Sequence, residues 1–171
     1  MSPVPTVTRL WGPPRTQEVV NGMLAMLQPD VEYRLAHHAD LTWTPDVAVT
    51  ELTAGPVLDE GGVRIVAEAT DHQPVEPTVG YRIEHEGKVV VIGGDTVPCD
   101  GLDALCVDAD IYVQTVLRDD LVSATPMQRF QDTIDYHSSV VQAAQTAQRN
   151  RVKTLALTHM VPTPAPGSEN E

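Results

Sequence analysis

The stretch VRIVAEATDHQPVEPTVGYRIEHEGKVVVIGGDT, residues 63–96, decides the fold. Residues 63–69 form a strand rich in β-branched side chains, and residues 79–85 alternate apolar and polar side chains, which is typical of a strand with one buried face. The Glu-Gly pair that follows supplies a two-residue hairpin turn. The apolar run within residues 88–92 then predicts a partner strand that is buried on both faces.

Helical and strand patterns flank this stretch on both sides. Upstream, Thr16 is placed to cap a helix that ends at Pro29 and whose apolar residues recur with a 3.6-residue period: Val20, Met23, Leu24 and Leu27. Downstream, Ser139 and Gln142 fit the capping box of a second helix, and residues 155–157 form a last buried strand. Alternating strands and helices predict a layered α/β domain.

The chain is long enough for one domain with a substantial core. We assign residues 1–161 to this domain, within which the weaker pattern of residues 31–58 predicts one or two strands with loops. Residues 162–171 are polar and rich in proline, and they are predicted to form a disordered tail.

The charge balance argues against two classes of partner. Lys and Arg number 11 against 24 Asp and Glu, which gives a net charge of −13. Duplex nucleic acids and anionic membrane surfaces are both bound by clustered cations, so neither is expected as a partner. Since the sequence has neither a signal-like segment nor 18 consecutive apolar residues, we predict a cytoplasmic protein with no membrane partner.

Three side chains of metal-binding type come soon after predicted apolar strands. His72 follows residues 63–69, Asp95 follows residues 88–92, and His159 follows residues 155–157. For each residue alone a loop or turn role is the stronger interpretation, but the repeated placement favours a common site at one edge of the sheet. Two imidazoles and a carboxylate suit zinc or another borderline divalent ion.

Four motifs resemble those of a known family. They are His72 in DHQPVEPTVGYRI, Asp95 in VVVIGGDT, His137 in YHSSVVQAA and His159 in LALTHM. In order and spacing they are similar to the later motifs of the metallo-β-lactamase superfamily, and most similar to the branch that contains ribonuclease Z and the arylsulfatase-like hydrolases. The resemblance extends over almost the whole predicted domain.

The resemblance implies a metallo-β-lactamase-like αββα sandwich with two zinc ions at one edge. Asp95 would bridge both ions, while His72 would bind one ion and His159 the other. His137 is implied to be a catalytic residue that assists proton transfer or holds the scissile group without binding metal. From the residues alone, His137 is equally consistent with a solvated position before a capped helix.

The implied activity is that of a zinc-dependent hydrolase. A metal-bound hydroxide would attack a phosphodiester, a sulfate or a carboxylic ester. Ribonuclease Z proteins often insert a long arm that grips tRNA between the segments matching Tyr81 and Asp95, whereas this chain has only a short hairpin there. Together with the net charge of −13, this predicts a small ester, sulfate or phosphodiester substrate and disfavours tRNA.

Other departures from the family predict an incomplete site. The H-x-H-x-D-H motif is absent, and His37, His38 and Asp40 lack its spacing, so we interpret them as a solvated loop. We therefore expect a fold that lacks its N-terminal part and final elements. The alternative to an active hydrolase is a catalytically impaired fragment or remnant with weak, substoichiometric zinc. It would need a partner chain, in a homodimer or as a complementing chain, or the missing N-terminal half.

A final departure concerns Gln114 and Thr115, which stand where ribonuclease Z sequences usually carry His-Glu. The family's glutamate partners the residue matching His137. Its replacement predicts that His137 lacks an orienting group.

Overall fold

The computed structural model describes residues 6–164. The chain divides into two compact units, Met1–Leu52 and Thr53–Glu171. Among the described residues, no helix is long and apolar enough to cross a lipid bilayer. Residues 165–171, which make up most of the tail predicted to be disordered, lie outside the described range.

The first unit contains a β-α-β arrangement. Strands β1 (Thr8–Gly12) and β2 (Val47–Glu51) pair in parallel, and helix α1 (Thr16–His37) connects them. Parallel neighbours need a long crossover of this kind because a tight turn cannot reverse the chain direction twice. Residues 31–58 contain β2 and the start of β3 (Gly55–Glu60), which belongs to the second unit. The prediction of one or two strands in this stretch is therefore confirmed.

Helix α1 is longer than the sequence predicts. The expectation that Pro29 ends it is wrong, since α1 continues to His37 with the proline inside. A proline removes one hydrogen bond from a helix, and local side-chain pairs offset part of that loss. Two exposed pairs of residues four apart lie around the proline: Gln28–Glu32 and Asp30–Arg34.

The start of α1 and its apolar face also differ from expectation. Thr16 is the first helical residue rather than the cap, and its hydroxyl donates a hydrogen bond to the Pro13 carbonyl at 2.6 Å. Within the predicted apolar face, Val20 is buried, but Met23 and Leu27 are 43% and 42% exposed. The helical period therefore located the helix without defining a buried stripe.

The second unit holds a mixed six-stranded sheet. Its strands lie in chain order across the sheet: β3, β4 (Val63–Thr70), β5 (Thr78–His85), β6 (Lys88–Ile92), β7 (Ile111–Leu117) and β8 (Thr154–Val161). Neighbours from β3 to β6 are antiparallel, whereas β6–β7 and β7–β8 are parallel. Strands β4, β5 and β6 confirm the three strands predicted from residues 63–96.

Short helices connect the parallel strands of this sheet. Between β6 and β7 lies α2 (Asp100–Cys106). Between β7 and β8 lie α3 (Asp119–Ser123), α4 (Gln128–Gln131), a 3₁₀ helix (Asp132–Asp135) and α5 (Val140–Arg149). The predicted layered α/β architecture is confirmed.

The core of this unit lies between one face of the sheet and helices α2 and α5. The strand register aligns Val66, Arg82, Val91, Tyr112 and Leu155 in one row across five strands. Buried side chains from both helices join the apolar members of this row: Leu102, Leu105, Cys106 and Ala147. Burial of apolar surface, at about 25 cal/mol per Å², holds the two helices on the sheet.

Strand β6 is buried on one face only. Val91 is fully buried, but Ile92 is 44% exposed, so the expectation of burial on both faces is wrong. Side chains alternate between the two faces of a strand, and the helical core cluster includes Val91 on one of them. The continuous apolar run in β6 is therefore compatible with a strand that has only one buried face.

Helix α5 begins as the sequence predicts. The Ser139 hydroxyl accepts a hydrogen bond from the Gln142 backbone at 3.1 Å, and the Gln142 side chain accepts one from the Ser139 backbone at 2.9 Å. Within this helix, Ala143, Thr146 and Ala147 are buried. The capping box fixes the point at which the chain enters α5, two residues after His137.

The Cys106 thiol provides a test of this core. Burial, with a smaller contribution from Asp103, raises its pKa from 9.0 to about 12. The raised pKa contributes to the free energy of unfolding. This contribution is fully present below pH 9 and is lost as the pH rises toward 12. At about pH 8 we expect iodoacetamide to modify Cys106 only after urea unfolds the chain, because the thiolate is the reactive form.

Mass spectrometry of the alkylated peptides measures this protection. Cys99, which is only half-buried, is the internal control and should react first. Equal rates of modification at Cys106 and Cys99 in the folded chain would contradict the packing described for this core.

Candidate metal site

The four predicted site residues reach one edge of the sheet. Strands β4 and β6 are both antiparallel to β5, and β6, β7 and β8 are parallel, so the carboxyl ends of all four strands share that edge. His72 follows β4, Asp95 follows β6, and His159 lies near the end of β8. His137 reaches the same place from the loop between the 3₁₀ helix and α5.

The buried residue Thr96 joins the loops that carry three of these side chains. Its hydroxyl accepts a hydrogen bond from the Asp71 backbone N–H at 3.0 Å and donates one to the Val97 carbonyl. Its carbonyl accepts from both the backbone N–H and the hydroxyl of Ser138, at 3.0 and 2.7 Å. Asp71 and Ser138 are the direct neighbours of His72 and His137, so these contacts set the spacing of the site.

Backbone carbonyls orient two of the imidazoles. His72 Nδ1 lies 2.7 Å from the Tyr136 carbonyl, and His137 Nδ1 lies 3.0 Å from the Thr133 carbonyl. Since a carbonyl oxygen can only accept, Nδ1 carries the proton in both rings and Nε2 presents a lone pair. Histidine ligands of metals are commonly held by such contacts. The expectation that His137 lacks an orienting group is therefore wrong.

The Asp95 carboxylate faces two histidines with different oxygens. Its Oδ2 lies 3.9 Å from His137 Nε2, and its Oδ1 lies 3.6 Å from His159 Nδ1. One ligand atom from each of His72, Asp95 and His137 lies within 4.8 Å of the other two. These separations exceed a direct hydrogen bond and leave room between the side chains for a metal ion.

His159 owes its position to an irregularity in β8. The expectation that the strand ends before it is wrong, because β8 continues to Val161. Between the pairs Thr115–Thr158 and Leu117–Val161, β8 has one residue more than β7, which is the pattern of a β-bulge. His159 has a φ of 45°, an uncommon conformation for a non-glycine residue, so the bulge changes the direction of its side chain.

The structure separates the predicted roles only in part. It brings His137, predicted as a non-ligand, into the cluster with His72 and Asp95, while His159 lies on the other oxygen of Asp95. Within residues 6–164, no other group of three candidate ligands comes together. His37, His38 and Asp40 are all exposed, as expected of solvated residues, but His37 is the last residue of α1 and does not lie in a loop.

Sequence analysis missed the groups that hold the site together. The Thr96 hydroxyl and carbonyl, and the carbonyls of Thr133 and Tyr136, belong to residues without a metal-ligand signature. The capping box directly after His137 was the one local signal that this loop has a fixed geometry.

Comparisons with known proteins agree with this fold. Residues 2–160 match the family model described as Beta-lactamase superfamily domain. Ribonuclease Z of Mycobacterium tuberculosis (strain ATCC 25618 / H37Rv) is 52% identical over 170 residues, covering 99% of this chain and 61% of that protein. Ribonuclease Z of Mycolicibacterium gilvum (strain PYR-GCK) is 53% identical over 171 residues, covering 100% of this chain and 58% of that protein.

A solved structure shows the same fold. Human tRNase Z, short form, superimposes with a TM-score of 0.63 at 21% identity, covering 89% of this chain and 60% of that chain. This chain therefore spans about three fifths of the length of the two ribonuclease Z relatives and of the solved structure.

The names of these relatives conflict with the expectation that tRNA is disfavoured. That expectation depended on the short hairpin between Tyr81 and Asp95 and on the net charge of the whole chain. A net charge is a sum over the whole molecule, and it does not give the electrostatic potential at one site.

Replacement of Thr96 tests whether it holds the site loops together. Thr96→Val keeps the shape of the side chain but leaves the partly buried Asp71 N–H without its acceptor. We expect the free energy of unfolding to fall by about 1–3 kcal/mol, measured by urea denaturation. Thr154→Val, at an exposed position in β8, is the matched control and should change stability by less than about 0.5 kcal/mol. Equal stability of the two variants would contradict the role assigned to Thr96.

Proposed function

Because this chain belongs to the metallo-β-lactamase superfamily, and the ribonuclease Z proteins are among its relatives, we propose that it carries the metal site of an RNA-cleaving hydrolase. One observation carries the proposal. Asp95 Oδ2 faces His137, beside which His72 lies, and Asp95 Oδ1 faces His159. A carboxylate in this arrangement can be shared between two metal positions.

The residues present suit zinc or a similar divalent ion. In the proposal, His72 and Asp95 hold one ion, and Asp95 and His159 hold the other. Imidazole nitrogen and carboxylate oxygen are both ordinary zinc ligands. When bound, the ions supply Lewis-acid activation of the scissile group and of water.

His137 is proposed to move a proton rather than to bind metal. The contact of its Nδ1 with the Thr133 carbonyl leaves Nε2 free to accept a proton on the side that faces Asp95. The same atom can then deliver that proton to a leaving oxygen. A positioned acid–base group of this kind contributes about 10²- to 10⁴-fold to a rate.

The proposed substrate is an RNA phosphodiester. A groove of about 630 Å³ borders the site and includes His159 in its lining together with Phe130 and Met160. An aromatic side chain beside a cleavage site suits a nucleobase, which stacks on such rings.

A second candidate function is an impaired hydrolase that needs ligands from elsewhere. It is favoured by the number of donors, because each proposed ion position has two protein ligands in this chain and one of them is shared. Catalytic zinc sites commonly use three protein ligands per ion. In this alternative, zinc binding is weak and substoichiometric, and a second copy or a complementing chain supplies the remaining donors.

Substitution of Asp95 tests the proposed function. Asp95→Asn removes the charge that both ion positions share, so we expect the zinc content after gel filtration and the cleavage of a tRNA-containing transcript to fall together. Asp135→Asn is the matched control, because Asp135 is exposed and lies outside the cluster. His137→Asn should keep the metal content while the cleavage rate falls by about 10²-fold or more.

The outcomes separate the two candidates. Zinc-dependent cleavage that survives in Asp135→Asn and is lost in Asp95→Asn supports the RNA-cleaving hydrolase. Zinc binding without cleavage in the wild-type chain supports the impaired hydrolase. Cleavage that is unchanged in Asp95→Asn contradicts both.

A further inference from the structure

The buried side-chain amide of Gln114, in β7, donates a hydrogen bond to the carbonyl of Gly94, the residue before Asp95. We infer that Gln114 is a positioning residue for the Asp95 carboxylate, acting through the Gly94 carbonyl. The inference rests on the proposed metal site, because it concerns the direction in which Asp95 presents its oxygens to the ions.

Every hydrogen-bonding group of the Gln114 side chain has a partner. Its Oε1 accepts from the Tyr112 hydroxyl at 2.7 Å, and its Nε2 donates to the Gly94 carbonyl at 3.0 Å and to the Thr115 carbonyl at 2.9 Å. The opposite amide orientation would place Oε1 against two carbonyl oxygens, so these contacts fix a single orientation. Gln114 and Tyr112 are both fully buried, which makes loss of any of these bonds costly.

The backbone before Asp95 is shaped around this amide. A Cβ atom built on Gly93 would overlap the Gln114 side-chain oxygen, so glycine allows β6 and the amide to approach this closely. Gly94 has a φ of 71°, which favours glycine, and it turns the chain out of β6. Its carbonyl also accepts from the Thr115 hydroxyl at 2.7 Å. Two donors from β7 thus hold the peptide that enters Asp95.

This network gives Gln114 and Thr115 a role different from the one expected at these positions. They contact the loop of Asp95, whereas His137 is oriented by the Thr133 carbonyl. Fixing the Gly94 carbonyl limits rotation of the Gly94–Asp95 peptide. It therefore limits the directions available to the Asp95 side chain. Groups that orient a ligand in this way typically change metal affinity by about 10- to 100-fold.

A cobalt titration tests the inference, since Co²⁺ reports its ligand geometry through visible absorption. Gln114→Met removes the side-chain amide, and with it one of the two donors to the Gly94 carbonyl, at similar side-chain volume. We expect it to weaken Co²⁺ binding by about 10-fold or more. Thr115→Val removes the second donor to Gly94 and should weaken binding in the same direction by a smaller factor. Tyr112→Phe is the matched control, because it removes a buried bond of the network without touching Gly94.

Amide hydrogen exchange gives a readout that does not need metal. In Gln114→Met and Thr115→Val, exchange should accelerate by about 10-fold at Gly93 and Val97, whose backbone N–H groups donate to the Val113 and Asp71 carbonyls on either side of Asp95. Exchange in β4 should stay unchanged. Tyr112→Phe should lower global stability without this local effect. If Gln114→Met does not fold, Thr115→Val alone decides.

The results distinguish this inference from the proposed function. A wild-type chain that binds no Co²⁺ contradicts the metal site, and the exchange measurement then decides the role of Gln114. Variants that bind Co²⁺ as tightly as the wild type does, or that leave exchange at Gly93 and Val97 unchanged, overturn the inference.

Discussion

Three chain segments meet at the edge of the six-stranded sheet, and the buried backbone and hydroxyl of Thr96 connect them. The hydroxyl holds the loop of His72 through the Asp71 N–H, and the carbonyl holds the loop of His137 through Ser138. Asp95 precedes Thr96 directly, so the same residue sets its distance from both histidines. Without these bonds the three side chains would depend on flexible loops, and a metal site requires donors fixed to within a fraction of an ångström.

The structure surrounds Asp95 with constraints on both sides. Thr96 holds the chain after it, while Gln114 and Thr115 hold the Gly94 carbonyl before it. These hydrogen bonds fix the backbone on both sides of one partly exposed carboxylate. Stability alone does not explain them, because a surface aspartate needs no such support. A carboxylate that held metal, as proposed for Asp95, would need such support, because its oxygens would have to keep fixed directions.

The sequence predicts the strands better than it predicts the site. Alternation and the hairpin turn locate β4, β5 and β6 because these signals are local, and strand direction then brings His72 and Asp95 to one edge. The bulge that redirects His159 depends on its pairing with β7, and the carbonyl that orients His137 belongs to a residue with no chemical signature. Helix α1 likewise continues through Pro29, which a rule that ends every helix at a proline does not predict.

The central claim is that the Asp95 carboxylate serves two metal positions at once. Anomalous diffraction at the zinc absorption edge, from crystals of the wild-type chain grown with zinc, tests it most directly. The account predicts two peaks near Asp95, each about 2 Å from a different carboxylate oxygen, one beside His72 and the other beside His159. A single peak bound by both oxygens, or no peak at this carboxylate, would contradict it.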